Sequence, residues 1–299
     1  DDAAILRPPP GEDLVATVDA VVEGIHFTRR FRPEEIGWKA LAVNLSDLAA
    51  MGARPLWALL ALSTPRGADP ARLVRIGRGV AACAGRHGLS VVGGNVTAAR
   101  ELSLSVTVLG AVRRGRALLR SGGRPGDLLV VSGTLGDAAL GIRPGAAPRL
   151  RDRQRRPVPR LALGRGAVGI ARAAIDLSDG LLQDLGHLCA ASGVGARVEV
   201  ERLPLSAAYR AATRRSREPA VAALSGGEDY ELLLAVPPAR LAALRVAAAR
   251  ARTPVTVVGA LEARSGIRVV KGGRLLPPAP PGHDHLRPGR VLGPERGRA

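Results

Sequence analysis

Apolar and polar positions in the N-terminal part of the chain follow the periods of alternating strands and helices. An apolar run at residues 14–22 predicts a strand that ends at the polar cluster Glu23-Gly24-Ile25-His26-Phe27. Residues 34–51 carry apolar side chains at helical spacing, and residues 69–87 form a second helical pattern between a capping Asp69 and Gly88. The pattern predicts further strands at 57–62 (buried), at 89–92, which leads into Gly93-Gly94-Asn95, and at 102–112.

A second αβ pattern follows the Arg- and Gly-rich stretch 113–127, which we interpret as the crossing between two domains. It predicts strands at 128–132, 173–175, 230–236 and 255–261, and helices at 181–191 and 238–251. Residues 143–159, rich in Pro, Gly and Arg, predict a flexible loop, and the tail 287–299 has the composition of disorder. We therefore expect two domains, residues 1–112 and 113–286, which a chain of 299 residues is long enough to form.

Composition narrows the classes of function. The net charge is +18, but the basic residues are almost all Arg and are spread along the chain, and aromatic residues make up only 2%. Because single-stranded nucleic acid is bound by stacking on aromatic side chains, a solvated Arg-rich surface is favoured over a nucleic-acid interface. A basic rim that attracts phosphorylated ligands fits the same charge. No apolar run has the length of a membrane span.

The N-terminus and the cysteines bear on the compartment. Asp1-Asp2-Ala3-Ala4 has no basic region followed by an apolar one, so a secretory signal is not expected. The chain also begins without Met, which suggests that residues upstream are missing. Cys83 and Cys189 have no CxxC spacing and are interpreted as buried thiols in a reducing compartment. We expect a cytoplasmic protein.

Carboxylates are concentrated in short clusters, most of which contain Gly or Ser, although the chain has only 26 acidic residues. The clusters are Asp1-Asp2, Asp19, Asn44-Leu45-Ser46-Asp47, Asp176-Leu177-Ser178-Asp179-Gly180 and Gly226-Gly227-Glu228-Asp229. Carboxylates that end apolar strands need a cation, and Mg²⁺ prefers such hard oxygen ligands shared with phosphates. The clusters therefore point to metal ions bound to a polyphosphate. Each also has a structural interpretation: a helix cap at Asp176 or Ser178, a polar helix residue at Asp47, a frayed terminus at Asp1.

Backbone N–H groups for phosphate binding are expected in Gly-rich segments that also fit plain turns. These segments are Gly93-Gly94-Asn95, Gly133-Thr134-Leu135-Gly136-Asp137 and Ser225-Gly226-Gly227. No GxxxxGK[ST] motif occurs, which excludes a P-loop, and the GxGxxG match at 164–169 follows a Pro- and Arg-rich loop, which argues against a dinucleotide site. No GxSxG elbow or zinc spacing of His is present. His26 fits either ligand contact or a structural hydrogen bond.

Taken in order, the motifs resemble those of thiamine-monophosphate kinases. They are Asp1-Asp2-Ala3-Ala4, Val22 to Phe27, Lys39 to Ala53, Pro125-Gly126-Asp127, Ile175 to Leu181 and Leu224 to Leu232. The similarity runs from Asp1 to about Leu286, and the stretches 39–53 and 225–232 are the specific ones. The acidic layout alone also fits aminoimidazole ribonucleotide and selenophosphate synthetases. The resemblance implies an α/β (α+β) fold of the aminoimidazole ribonucleotide synthetase type, in which each of two domains is a mixed sheet covered by helices, and a homodimer formed by the N-terminal domains.

The resemblance also implies a reaction, in which the γ-phosphoryl group of ATP passes directly to thiamine monophosphate with the help of several Mg²⁺ ions. The implied metal ligands are Asp1, Thr17, Val18, Asp19, Asp47, Asn95, Asp176 and Asp179, among which Asp47, Asp176 and Asp179 are the implied catalytic residues. Gly94, Asn95, Arg120 and Ser178 would face ATP, and His26, Glu228 and His283 would face the thiamine phosphate.

Three features depart from the family pattern. Asn95 stands where the family usually has Asp, His283 stands where an aromatic residue is usual, and the segment that normally precedes Asp1 is absent. These departures predict a weaker metal site and weaker substrate binding. Two alternatives stay open: another ATP-dependent synthetase of the same superfamily, and an Arg-rich binding protein that keeps the scaffold without catalysis.

Overall fold

Two mixed sheets and the helices packed on them make up residues 2–277, the part of the chain that the computed structural model describes. The strands are β1 (Glu12–Val22), β2 (Arg54–Thr64), β3 (Ser90–Ala98), β4 (Ser103–Arg113), β5 (Leu128–Ser132), β6 (Ala173–Asp176), β7 (Gly195–Glu199), β8 (Leu232–Val236), β9 (Val255–Glu262), β10 (Ile267–Lys271) and β11 (Arg274–Leu275). The helices are α1 (Pro33–Ala50), α2 (Pro70–His87), α3 (Asp137–Gly141), α4 (Pro148–Arg155), α5 (Leu161–Ala167), α6 (Leu181–Ser192), α7 (Ala207–Thr213), α8 (Val221–Ser225) and α9 (Leu241–Arg250), with 3₁₀ turns at Val200–Arg202 and Pro238–Arg240.

The first sheet has the strand order β1-β4-β2-β3, in which only the β2–β3 pair is parallel. Helix α1 packs against this sheet and also contacts α2, α5 and β6, so it is buried on nearly all sides. Gly37 and Gly79 permit the close approach of α1 and α2, because a Cβ at Gly37 would lie 2.0 Å from the Ile76 carbonyl oxygen. Helix α1 is thus a central element, and most of its polar side chains face protein rather than solvent.

The second sheet has the order β11-β10-β7-β9-β5-β8-β6. Strands β6 and β8 are antiparallel neighbours at one edge, so the loop after β6 meets the segment that enters β8. Strand β5 lies beside β8 and carries the buried Ser132 at its end. This edge of the sheet contacts α1 and therefore the first sheet. None of the helices described is long and apolar enough to cross a membrane.

Most predicted elements are confirmed. Strands β1, β4, β5, β6 and β9 and helices α1, α2 and α6 match their predictions to within a few residues. Asp69 caps α2 by accepting the Ala71 N–H at 2.9 Å, and Gly88 ends it at φ 69°. Residues 164–167 of the GxGxxG segment lie in the packed helix α5, in which a Cβ at Gly164 would lie 1.9 Å from the Ala49 carbonyl oxygen.

Four predictions are wrong or incomplete. Residues 143–159 were expected to be a loop but contain α4, since Pro148 suits a first helical turn and Leu150 and Gln154 bury one side of it. Strand β3 runs through Gly93-Gly94-Asn95 instead of ending before them. Strand β2 is only partly buried, because one face of its sheet is open. The pattern also missed β7, β10, β11, α5, α7 and α8. Asp1, His283 and the tail 287–299 lie outside the described residues.

Candidate active site

A carboxylate cluster forms where β1 crosses α1. Thr17 on β1 donates its hydroxyl to Asp47 Oδ2 on α1 at 2.5 Å. The Asp19 N–H donates to Asn44 Oδ1 at 2.9 Å, and Asn44 is itself held by the Ala40 carbonyl one helical turn earlier. Asn44 and Asp47 lie one turn apart on α1, so the helix presents both to β1. Residues that are distant in sequence thus meet at this crossing.

Asp176, at the end of β6, brings the second sheet to the same cluster. It is 5% exposed, and burial together with the charge of Asp47 raises its pKa to about 8. Burial also raises the pKa of Asp47, and burial followed by the charge of Asp47 raises the pKa of Asp19 to about 6, although Asp19 keeps an exposed edge. The negative charge of Asp179 also raises the pKa of Asp19. In the described chain no Lys or Arg forms an ion pair within 4.0 Å of Asp19, Asp47 or Asp176.

Asp184 is a site residue that the sequence reasoning missed. Its Oδ2 accepts the N–H groups of Asp179 and Gly180, each at 3.1 Å, and so closes the loop after β6. Burial and the nearby charge of Asp179 raise its pKa to about 7. The available signal was an Asp in the first turn of α6, four residues after Gly180, where a carboxylate can accept the free N–H groups at the start of a helix.

The segment Gly226 to Glu231 lies against this loop. The Glu228 N–H donates to the Ser178 carbonyl at 2.7 Å, and the Tyr230 N–H donates to the Leu177 carbonyl at 2.8 Å. A Cβ at Gly227 would lie 2.6 Å from the Ser178 carbonyl oxygen, which accounts for glycine there. The two acidic motifs of the second domain therefore form one unit of structure.

The segment 133–137, expected to offer N–H groups to phosphate, is already bonded within the protein. Gly133 donates to the Pro254 carbonyl at 2.9 Å, Leu135 donates to the Pro204 carbonyl at 2.9 Å, and Gly136 donates to Asp229 Oδ2 at 2.7 Å. These three of the five N–H groups have no free hydrogen for a ligand, which argues against the phosphate-binding interpretation of this segment.

Glu231 is a buried anion between two arginines. Its side chain is 0% exposed and accepts from Arg160 at 2.7 and 2.5 Å, from Arg153 at 2.5 Å and from the Ser132 hydroxyl at 2.6 Å. Burial alone would raise the pKa of Glu231, but the hydrogen bonds and charge of Arg160, with the charge of Arg153, lower it. This network joins α4, the segment before α5 and the second sheet beside the site.

Glu228 and His26, the two described residues assigned to the thiamine phosphate, lie on either side of Lys39. Glu228 Oε1 pairs with Lys39 Nζ at 2.5 Å, and Lys39 also donates to the His26 carbonyl at 2.9 Å. His26 Nδ1 accepts the Val22 N–H at 3.1 Å, which orients the imidazole ring. The structure thus brings the two residues together, through a lysine that sequence reasoning did not select.

Gly94 and Asn95 lie at the opposite edge of the first sheet. Asp19, Val106, Leu60 and Gly94 form one row across the four strands. Three strand spacings of roughly 4.8 Å separate the ends of this row, or about 14 Å. A single chain therefore does not bring Asn95 beside Asp19. Arg120 is exposed, and its positive charge partly offsets the burial that raises the pKa of Asp47, so Arg120 lies on the side of the carboxylates.

The protein side chains alone do not make a closed metal cage. Among residues 2–277 no group of three or more His, Cys, Asp or Glu side chains is arranged to hold a metal ion. The oxygen-rich cluster of Thr17, Asp19, Asp47 and Asp176 nevertheless has the donor chemistry of a site completed by phosphate oxygens and water. The metal roles assigned from sequence stay predictions.

Asp229 provides a test of the site's electrostatics by pH. It is 5% exposed, its Oδ1 has no hydrogen-bond partner, and burial raises its pKa to about 8. Because the folded protein then holds a proton that the unfolded chain has lost, this residue destabilises the fold increasingly between about pH 4 and pH 8, by at most about 1.4 kcal/mol per pH unit.

We expect Asp229→Asn, which resembles the protonated acid, to raise Tm more at pH 8 than at pH 5. Thermal denaturation at both pH values, with the exposed Asp152→Asn as control, measures the difference; an equal effect at both would contradict it.

Comparison with known proteins gives a consistent picture. The models for AIR synthase related protein, N-terminal domain, and AIR synthase related protein, C-terminal domain, match residues 1–112 and 124–272. The chain is 41% identical to thiamine-monophosphate kinase of Salmonella typhimurium, over 96% of this chain and 90% of that protein. It is similar to the crystal structure of thiamine-monophosphate kinase from Stenotrophomonas maltophilia K279a, with a TM-score of 0.84, 44% identity, and coverage of 90% and 89% of the two chains. It is also similar to AaThiL complexed with AMPPCP and TMP, with a TM-score of 0.83, 33% identity, and coverage of 96% and 91%.

Proposed function

The chain belongs to the thiamine-monophosphate kinase family, and we propose that its carboxylate cluster transfers the γ-phosphoryl group of ATP directly to thiamine monophosphate, giving thiamine diphosphate. It is an ATP-dependent kinase of thiamine monophosphate, as its relatives are, and the related AaThiL structure is a complex with AMPPCP, an ATP analogue, and TMP. The observation that carries the mechanism is the meeting of Asp19, Asp47 and Asp176 at the contact of both sheets with α1.

Direct transfer fits the side chains around this cluster. Phosphoryl transfer needs positioning and charge stabilisation more than covalent chemistry, and the described cluster contains no cysteine and no serine activated by a histidine base. Ser178 lies on the loop after β6, held by the hydrogen bond from Glu228, and is suited to contact the nucleotide. Gly94, Asn95 and Arg120 complete the proposed ATP side, and His26 and Glu228 the acceptor side.

We propose Mg²⁺ as the metal of this site. The Thr17 hydroxyl, the Val18 carbonyl and the carboxylates of Asp19, Asp47 and Asp176 are hard oxygen donors, and Asp1 and Asp179 would add further oxygens. Asn95 lies three strands from Asp19 in one chain, so its oxygen would serve a metal ion at a distance from this cluster. The like-charged carboxylates stand without a paired cation in the described chain, so a divalent ion suits them. When bound, Mg²⁺ neutralises phosphate charge and aligns the transfer. An amide at Asn95 coordinates more weakly than the carboxylate usual in the family.

We also propose a homodimer formed through the open face of the first sheet. Leu14, Val18 and Leu59 on that face are 46%, 62% and 40% exposed, which is unusual for one side of a sheet whose other side is a core. A second copy would cover these side chains. Sedimentation equilibrium should give about twice the chain mass of 30.9 kDa; a value equal to one chain at micromolar concentration would argue against this interface.

A cytoplasmic location is proposed from the thiols. Cys83 and Cys189 are both free and buried, and burial raises their pKa to about 12 and about 11. Unpaired cysteines are typical of proteins in a reducing compartment.

The decisive experiment is an assay of the purified protein with Mg-ATP and thiamine monophosphate. We expect one ADP and one thiamine diphosphate per turnover, separated and quantified by chromatography. No phosphorylated protein should accumulate when γ-labelled ATP is used without acceptor. If nucleotide binds but neither product forms, the proposed function is lost.

A further inference from the structure

Lys39 is a fully buried lysine in the middle of α1. Its exposed fraction is 0%, and its helix neighbours Trp38 and Ala40 are buried as well. A buried ammonium group is costly unless it is paired and hydrogen-bonded. The other lysine of the chain, Lys271, lies exposed at the end of β10. The position of Lys39 therefore requires partners.

Three partners surround the ammonium group. Lys39 Nζ lies 2.5 Å from Glu228 Oε1, 2.9 Å from the His26 carbonyl oxygen and 5.7 Å from the centre of the Phe31 ring. The ring distance is within the range of cation–π attraction. One ammonium group thus holds the loop after β1 and the segment before β8, which belong to different sheets.

Glu228 is also fixed from its other sides. Its backbone adopts a left-handed φ of 71° and is tied by its N–H to the Ser178 carbonyl at 2.7 Å. Its Oε2 accepts from Gln154 Nε2 on α4 at 3.3 Å. A non-glycine residue persists in this conformation only where its surroundings determine it, and such residues concentrate at binding sites. The Glu228 side chain keeps 18% of its surface exposed, so a ligand can reach the carboxylate that Lys39 orients.

We propose that Lys39 is a positioning residue for the acceptor substrate. It sets the direction of the Glu228 carboxylate and its distance from the His26 loop, and so determines the shape of the acceptor pocket across the two sheets. This inference rests on the proposed function, since the acceptor is thiamine monophosphate only if the kinase assignment holds. Because Lys39 has no exposed surface, it acts through the residues that it holds. Its loss should therefore weaken acceptor binding more than nucleotide binding.

Steady-state kinetics on four variants test this role. The variants are Lys39→Met, Glu228→Gln, the double variant, and the exposed control Lys271→Met. We expect Lys39→Met to raise KM for thiamine monophosphate by roughly tenfold and KM for ATP by less than about twofold. In the Glu228→Gln background, Lys39→Met should add less than about a further twofold, because interacting residues are not additive. Lys271→Met should match the unmodified protein.

The outcomes separate this inference from the proposed function. An unmodified protein that does not turn over thiamine monophosphate overturns the function. An active protein in which Lys39→Met leaves KM for thiamine monophosphate unchanged, or raises both KM values equally, overturns the role of Lys39 alone. If Lys39→Met does not fold because the partly buried Glu228 is left without its cation, the double variant removes both charges and is compared with Glu228→Gln. A further tenfold rise of KM for thiamine monophosphate in that comparison overturns the role; equality supports it.

Discussion

Asp47→Asn is expected to lower kcat for thiamine diphosphate formation by about a thousandfold, which corresponds to about 4 kcal/mol of transition-state stabilisation. Asp47 lies at the centre of the cluster, since it accepts the Thr17 hydroxyl and its charge acts on both Asp19 and Asp176. An amide keeps the shape and an acceptor oxygen for Thr17 but removes the charge. The fold should be at least as stable as before, because burial disfavours the charged form of Asp47 and its acidic neighbours repel it.

The measurement is kcat at saturating ATP and thiamine monophosphate, with Tm recorded on the same samples. Asp152→Asn is the matched control, because it makes the same chemical change at an exposed position of α4. We expect that control to keep kcat within about twofold of the unmodified protein. Full activity of Asp47→Asn would remove Asp47 from the mechanism, and a large fall in Tm would show that its role is structural.

Glu231→Gln is expected to have the largest effect on stability, about 3–5 kcal/mol of lost unfolding free energy. The substitution leaves Arg153 and Arg160 partly buried, with side chains 21% and 16% exposed, and without their anion. The folded protein favours the ionised form of Glu231, since the pKa of this side chain is lowered on folding. Its contribution is therefore present above the ordinary Glu pKa near 4.5 and is lost as the pH falls below that value.

Glu199 offers a control with the same kind of partners at the surface. It pairs with Arg197 at 2.7 Å and with Arg202 at 2.6 Å, and those arginine side chains are 48% and 54% exposed. Because exposed ion pairs contribute little, Glu199→Gln should cost less than about 1 kcal/mol. Urea unfolding followed by circular dichroism compares the two variants at pH 7. A Glu231→Gln loss no larger than that of Glu199→Gln would mean that the buried network does not stabilise the fold.

Much of the architecture was open to prediction because its signals are local. The helical spacing of α1, the capping Asp69 and terminal Gly88 of α2, and the apolar run of β1 each lie within one element. Helix α4 was missed because its Arg-rich surface resembles a loop, and its burial depends on Leu150 and Gln154 facing elements elsewhere in the chain. Strand β3 was cut short because glycines are typical of turns, whereas Gly94 is required by the backbone of Leu60, 2.1 Å from where its Cβ would lie.

In the candidate site, too, some residues could be found from local motifs and others could not. Local motifs made Asp47, Asp176 and Glu228 candidates, because carboxylates close to Gly or Ser are unusual in a chain with few acids, and Asp19 was a candidate as an acid in an apolar strand. They did not identify Asp184, Lys39 or the arginines of Glu231, since helical Asp and Lys and abundant Arg carry no distinctive spacing.

Residue identity and local order were therefore enough to predict most of the αβ elements, the acidic motifs and the family to which they belong. Only the tertiary structure decided which charged side chains form ion pairs and which carboxylates stay without a cationic partner. Lys39 and Glu228 are 189 positions apart and Arg153 and Glu231 are 78 apart, so no local period relates them. Strand order likewise puts Asn95 three strands from Asp19. Long-range packing determines which side chains are buried, and a buried charge needs a partner of opposite charge. Glu228 and Glu231 have such partners, whereas the carboxylates around Asp47 repel one another.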